Sequence, residues 1–387
     1  MKNLFFQLFL FSGLLAGNPT IAQKKMKINL SIAAQLPING KLGKQPGLAG
    51  AFAGYIQNRL IIAGGANFPD SMPWQGGKKA YWDDIYVLNI GKKGKYSWEK
   101  TPVMKLKESI AYGASVQTNM GIVCVGGENE NGISNKTFLL HSANSGNELE
   151  IIDLPALPVP LTNLSAVSIG NIVYAGGGET VSNVSDRFFK LDIEKKGDHW
   201  EELQSLPMQV SHAVMLAQTD GLSTHIFLLG GRKKNQSGIS DFYSSVFEYD
   251  IKKNEWVKKM DMPYAVSAGV AISGGRNNIL YIGGDKGEIF QKVETLQNAI
   301  KTEKDDLQKL QLIQQKNQLQ INHPGFCKDV LEYDVVKDKW TLFDTLSADV
   351  PVTTTIVKTN KRYFIPSGEI KAGVRSHEVI VIESILW

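Results

Sequence analysis

RLIIAGG, residues 59–65, is an apolar run closed by two glycines, and the chain writes it again four times. GIVCVGG (121–127), NIVYAGGG (171–178), HIFLLGG (225–231) and NILYIGG (278–284) share the same form. Taking Gly65, Gly127, Gly177, Gly231 and Gly284 as the second glycines gives spacings of 62, 50, 54 and 53 residues. A unit of about 50 residues that recurs this way is the signature of a repeat architecture. After each glycine pair come a loop and an alternating strand: DIYVLNI (84–90), KTFLLHS (136–142), RFFKLDI (187–193), VFEYDI (246–251) and VLEYDV (330–335). A polar turn follows, and in most units a tryptophan strand: YSWEKTPVM (96–104), HWEELQSLP (199–207), NEWVKKMDMP (254–263) and DKWTLFDTLS (338–347).

Period-2 alternation rich in Val, Ile, Tyr and Phe, interrupted by Gly and Pro, is all-β patterning. Four strands per unit make the blade of a β-propeller, and the pattern resembles the Kelch repeat over nearly the whole chain after the leader. The glycine pair suits a place where strands crowd near the hub and a Cβ would clash. Each outer-strand tryptophan is expected to cover the neighbouring blade. A sixth, degenerate unit reads KRYFIPSGE (361–369) and then HEVIVIESILW (377–387), which supplies three strands. The fourth is expected from the other end, in KINLSIAAQLP (27–37). Pairing it with the last blade closes the ring and removes an open sheet edge. The expected architecture is a six-bladed propeller over residues 23–387, closed by the N-terminal strand.

One insertion, about 286–325 and in the fifth blade, breaks the rhythm. Ile289, Val293, Leu296 and Ile300, then Leu307, Leu310 and Ile313, follow helical spacing, with a second helix starting at Asp305–Asp306. It is either a solvated decoration or a lid.

Of the 387 residues 43% are hydrophobic and 21% charged, the balance of an ordinary globular protein. A formal charge of +4 with scattered lysines gives no basic stripe for nucleic acid. Residues 1–22 hold a lysine, an apolar run from Leu4 to Ala16 and small residues before Gln23, the form of a cleaved secretory signal. The run is too short to span a bilayer, so no membrane association is expected after cleavage. The mature chain is expected in the periplasm or outside the cell. Cys124 and Cys327 are expected as two buried free thiols, and no Cys/His cluster has metal-ligand spacing.

Strands in a blade run up and down, so the residues just past each glycine pair converge on one mouth of the central channel. These are Asn67 with Phe68, Glu128, Glu179, Arg232, Asp285 and Glu369. Singly each is an ordinary turn or solvated charge; together they line a polar mouth. The last of these loops, SGEIKAGVRS (367–376), sets Glu369 and Arg375 at the two ends of a turn. A carboxylate poised between the like charges of Glu128 and Glu179 and the arginine suits proton transfer. An arginine fork suits a carboxylate-bearing ligand. From the residues alone, the ligand is an acidic sugar or similar polar molecule.

Four motifs resemble the bacterial sialic acid mutarotases, the N-acetylneuraminate epimerases, in their cyclically permuted branch. They are SGEIKAGVR (367–375), GAFAGYIQNRLIIAGGANF (50–68), GGKKAYWDDI (76–85) and GGDKGEIF (283–290). Here the glutamate–arginine loop ends the chain and GAFAG opens it, as cutting the ring at a new point produces. Ala372 stands for the motif's proline and Ser367 for its asparagine. The resemblance implies interconversion of the α and β anomers of free N-acetylneuraminate without metal or cofactor. Glu369 is then the proton acceptor, with Arg375 its partner. The competing readings are a non-catalytic propeller binding glycan or protein, a copper radical oxidase, and a sialidase. The sequence lacks a Tyr/His/Cys ligand set for the second and the Ser-x-Asp-x-Gly-x-Thr-Trp turns of the third.

Overall fold

Six antiparallel sheets, each of four strands and the first with a short fifth, are set around a common channel. The computed structural model describes residues 27–38, 46–100, 104–143, 148–195 and 199–386, so the leader-like segment 1–22 lies outside the described residues. The innermost strands of blades one to six are Phe52–Ile56, Ala114–Gln117, Ser165–Ile169, Val214–Thr219, Val270–Gly274 and Val357–Lys358. The glycine-pair strands come second in each blade. In the sixth, Lys27–Gln35 pairs antiparallel with Val374–Leu386, so the first strand of the chain completes the last blade.

The core lies between blades. Phe52, Ile61 and Val87 of blade one pack with Ile122, Cys124 and Leu140 of blade two. Ile272, Ile282 and Val330 of blade five pack in the same way with Ile365, Ile380 and Ile28 of blade six. Each fully buried Ile, Leu, Val or Phe contributes about 1.5–3 kcal/mol. Burial on both faces explains why a strand such as Arg59–Ala63 reads as a continuous apolar run, every residue buried. The outer-strand tryptophans each reach back one blade. Trp98 Nε1 donates to Gln35 O at 2.8 Å, Trp200 to Pro155 O at 2.8 Å, Trp256 to Gln204 O at 3.3 Å and Trp340 to Met260 O at 3.0 Å.

Both members of each glycine pair have positive φ: 67° and 98° at Gly64 and Gly65, 63° and 111° at Gly126 and Gly127. A Cβ at Gly126 would also fall 2.4 Å from Leu161 O of the next blade. In the third blade the pair is Gly177–Gly178, one residue later than the register read from sequence. Gly178, with φ 89°, donates to Val210 O as Gly65 donates to Ile110 O. In the sixth blade Ser367 takes the first place at φ 64° and is fully buried. Its hydroxyl accepts from Leu48 N at 2.7 Å and lies 2.5 Å from Ser376 O. The contact with Leu48 joins the last blade to the first.

The insertion forms α1 (Glu288–Thr302) and α2 (Asp306–Ile321), between the second and third strands of blade five. Asp305 caps α2 by accepting from Gln308 N at 2.7 Å. Both cysteines are free, but only Cys124 is buried; Cys327 is half-buried, its sulfur 3.4 Å from the Tyr264 hydroxyl. No described helix is long and apolar enough to cross a membrane.

Candidate functional site

Six chain segments make the rim in the same way. Ala66, Glu128, Glu179, Arg232, Asp285 and Glu369 each form an isolated antiparallel bridge to the segment leading into an innermost strand, at Ala49, Ala111, Thr162, Ser211, Ser267 and Val352. The next residue in each segment is left-handed: Gly50, Tyr112, Asn163, His212, Ala268 and Thr353, with φ between 52° and 63°. The N–H of each donates to the carbonyl of its counterpart one blade back, at 2.7–3.3 Å, and Gly50 closes the circle on Thr353. A closed ring of backbone hydrogen bonds therefore holds the rim. Below it the channel encloses about 390 Å³, lined by the innermost strands of blades two to six and, from blade one, by Gly50 and Ala51. Tyr112 and His212 belong to this ring and also contact charged groups above it, Tyr112 touching Arg375 and Lys79 and His212 touching Arg232.

Four rim carboxylates and Arg232 occupy equivalent places, as expected from sequence. Asn67 does not: Ala66 holds the rim position of blade one. Asn67 is fully buried beneath it, donating to Gly47 O at 2.8 Å and accepting from Trp82 Nε1 at 3.0 Å. It is a seam residue and has no surface to offer a ligand.

Glu369 and Arg375 face each other in register across the final hairpin. Glu369 Oε1 accepts from Gly373 N at 2.5 Å and lies 3.8 Å from Arg375 Nη1, a charge contact rather than a hydrogen bond. The Arg375 side chain is only 5% exposed. Its guanidinium covers the Phe68 ring at 4.6 Å, and Nη2 lies 3.4 Å from the Tyr112 hydroxyl. Nε and Nη1 are buried and have no acceptor among the described residues. Burial works against the charge, but Glu369 and Tyr112 outweigh it and hold the guanidinium above its ordinary value.

Glu128 and Glu179 are engaged away from Glu369. Glu128 accepts from the Tyr81 hydroxyl at 2.7 Å and pairs with Lys79 at 3.3 Å, while Lys79 covers the Tyr112 ring at 4.6 Å. Burial and Glu128 together push the Tyr81 phenol well up. Glu179 accepts from Ser211 Oγ at 2.8 Å. The carboxyl that interacts with Glu369 is instead Asp285, in the same rim position one blade earlier.

Blades four and five supply the opposite side. Arg232 lies 3.3 Å from His212 Nδ1, and its guanidinium covers Phe290 of α1 at 4.2 Å. Burial and Arg232 drive His212 well below its ordinary pKa, so it is neutral. Asp285 Oδ1 accepts from Gly287 N at 2.8 Å. Burial pushes its carboxyl up, with Glu369 adding to the effect and Gly287, His323 and Arg232 opposing it. His323, from the loop after α2, accepts from Gly325 N at 3.1 Å through Nδ1 and packs on Phe326.

The helical hairpin is clamped at two places. Buried Glu294 of α1 accepts from Ser240 N at 2.7 Å and Ser240 Oγ at 2.8 Å, on the loop of blade four. Asn317 of α2 donates to Trp74 O at 3.1 Å, on the loop of blade one. Pro73 and Trp74 in turn abut Gly373 of the Glu369–Arg375 hairpin. The insertion thus reaches over the rim from one side to the other and brings Phe290 and His323 to it.

Tyr112, His212, Lys79, Tyr81 and His323 were not found from sequence. For the first two a signal existed: IAYGASV, LTNLSAV, VSHAVML and VSAGVAI align residue for residue leading into the innermost strands. Among the described residues no three His, Cys, Asp or Glu side chains are grouped as a metal-binding set.

A sequence model of the N-acetylneuraminate epimerase family matches residues 16–151 and 154–384 of the chain. The N-acetylneuraminate epimerase of Haemophilus influenzae is 23% identical over 227 residues, 58% of this chain and 57% of that protein. That of Salmonella typhimurium is 25% identical over 238 residues, 60% and 58% of the two chains. That of Vibrio vulnificus is 35% identical over 128 residues, 30% and 31%. The aligned stretches span less than two thirds of each of these relatives.

Proposed function

Because the chain belongs to the N-acetylneuraminate epimerase family, we propose that it interconverts the α and β anomers of free N-acetylneuraminate by acid–base opening and closing of the sugar ring. The observation that carries this reading is the final hairpin. A carboxylate and a buried guanidinium, 3.8 Å apart, stand at the channel mouth with two guanidinium nitrogens lacking acceptors among the described residues. Buried donors without partners cost about 1–3 kcal/mol each. A sugar carboxylate is the planar, charged acceptor that such a fork recognises.

With the carboxylate held beside Arg375, Glu369 takes the proton of the anomeric hydroxyl. The C2–ring-oxygen bond breaks, a proton reaches the ring oxygen, and C2 becomes a ketone. Rotation about the C2–C3 bond and reclosure on the other face return both protons and give the other anomer. Lys79, Glu128, Glu179 and Arg232 provide hydrogen-bonding groups for the hydroxyls and the N-acetyl group. The leader-like residues 1–22 support export to the periplasm or beyond.

Glu369→Gln keeps the hairpin's shape and removes the base. Proton NMR of freshly released α-anomer is expected to show a rate at least about 100-fold below wild type. An unchanged rate removes Glu369 from the reaction. Arg375→Ala is expected to weaken binding of carboxylate-bearing sugars; equal loss for a neutral sugar contradicts the fork's assignment.

A further inference from the structure

Ring opening needs two groups, one to take the anomeric proton and one to give a proton to the ring oxygen, and Glu369 supplies only the first. Several places in the fold offer a titratable group. The Tyr264–Cys327–Asp329–Lys286 cluster is committed to its own contacts, with the Tyr264 hydroxyl 2.9 Å from Asp329 and Lys286 covering the Tyr264 ring. Glu294 is committed to Ser240. His212 is locked against Arg232 and Ser211. Asp285 differs. Only Oδ1 is used, by Gly287 N; among the described residues Oδ2 has no hydrogen-bond partner. It stands in the rim position of blade five, next around the ring from Glu369, with their supporting segments joined by Thr353 N donating to Ala268 O.

We propose that Asp285 is the acid that protonates the ring oxygen while Glu369 accepts the anomeric proton, so that two carboxyls from neighbouring blades share the reaction. This rests on the anomer-interconversion reading above. The protons balance. On opening, Asp285 Oδ2–H passes to the ring oxygen and the anomeric O–H proton passes to Glu369. On reclosure, the released hydroxyl returns its proton to Asp285 as it attacks C2, and Glu369 reprotonates the former carbonyl oxygen.

The surroundings favour this division. Burial holds Asp285 toward its protonated form, and Glu369 facing it from blade six pushes the same way. Arg232 from blade four and His323 from the loop after α2 act against it, and His323 is itself kept toward neutrality, first by burial. Lys371 acts on His323, and Tyr281 lies beneath Asp285, its hydroxyl 3.3 Å from Gly269 N. A carboxyl pushed toward its protonated form beside a second carboxyl at the same mouth is the pattern of an acid–base pair.

The test is the pH dependence of α-anomer conversion followed by NMR, with the uncatalysed rate subtracted, for wild type, Asp285→Asn and Glu369→Gln. In wild type, kcat is expected to fall as pH rises and Asp285 loses its proton. Asp285→Asn is expected to lose about 100-fold or more in kcat, with KM within about threefold and the alkaline limb gone. A wild-type protein that does not accelerate conversion overturns the underlying reading. An active wild type with Asp285→Asn within about threefold in kcat, or a loss confined to KM, overturns Asp285 alone. Should Asp285→Asn fail to fold, the wild-type profile decides: a kcat flat from about pH 4 to 9 removes Asp285 as the acid.

Discussion

Arg375→Met separates a ligand-binding arginine from a structural one. The Arg375 side chain is only 5% exposed, and two of its nitrogens, Nε and Nη1, lack acceptors among the described residues. Removing them returns about 1–3 kcal/mol apiece. Against this stand three losses. The 3.8 Å contact to a partly solvated Glu369 contributes about 1 kcal/mol after solvent screening. The stacking on Phe68 at 4.6 Å adds about 0.5–2 kcal/mol. The long contact to Tyr112 adds about 0.5–1 kcal/mol. Methionine keeps most of the side chain's packing volume. Gains and losses nearly cancel, so the net change is expected within about 1 kcal/mol of zero. Breaking an ordinary buried ion pair costs about 3–5 kcal/mol instead. Urea unfolding of ligand-free wild type and Arg375→Met measures the difference, with anomer conversion assayed in parallel. Loss of activity at unchanged stability is the expected result. Destabilisation above about 3 kcal/mol with activity retained refutes the reasoning and makes Arg375 a structural residue.

The remaining expectations concern the frame. Gly126→Ala and Gly170→Ala both place a Cβ at φ near 63°, costing about 1–2 kcal/mol, but only the first drives it to 2.4 Å from a carbonyl. Chemical denaturation is expected to show at least about 1–3 kcal/mol more damage at Gly126, and equal effects contradict the interblade contact. His212 is neutral when folded because its pKa is depressed. Its contribution to stability is therefore full above about pH 6.5 and is lost, at about 1.36 kcal/mol per pH unit, as pH falls toward the folded value. His212→Gln is expected to flatten that part of the stability–pH curve, and an unaltered slope counts against a buried neutral histidine. Glu294→Ala strips both Ser240 donors of their acceptor. Faster amide exchange across α1 with unchanged exchange in the blade strands is the expected signature, and protection retained in α1 contradicts the clamp.

The blades were legible because a glycine pair with both φ positive admits few other residues and recurs five times. The ring of left-handed residues above the channel was not. Gly50, Tyr112, Asn163, His212, Ala268 and Thr353 share a backbone conformation imposed by interblade hydrogen bonds, and no side-chain chemistry. Asn67 misled by one position: its side chain turns under the rim to join Gly47 and Trp82, leaving Ala66 in the equivalent place. The facing of Glu369 and Arg375 was legible because a hairpin puts residues six apart opposite one another. His323 was hidden because its placement depends on where the chain descends from α2, a helix with weak amphipathic patterning and no buried residue to orient it.

The most direct measurement is proton NMR of α-N-acetylneuraminate, freshly released, with and without the wild-type protein at pH 7. Approach to the equilibrium anomer mixture many times faster than in buffer, in proportion to protein concentration, is the expected result. Decay curves that superimpose on buffer alone, at protein concentrations in the micromolar range, would contradict a ring-opening site at the propeller mouth.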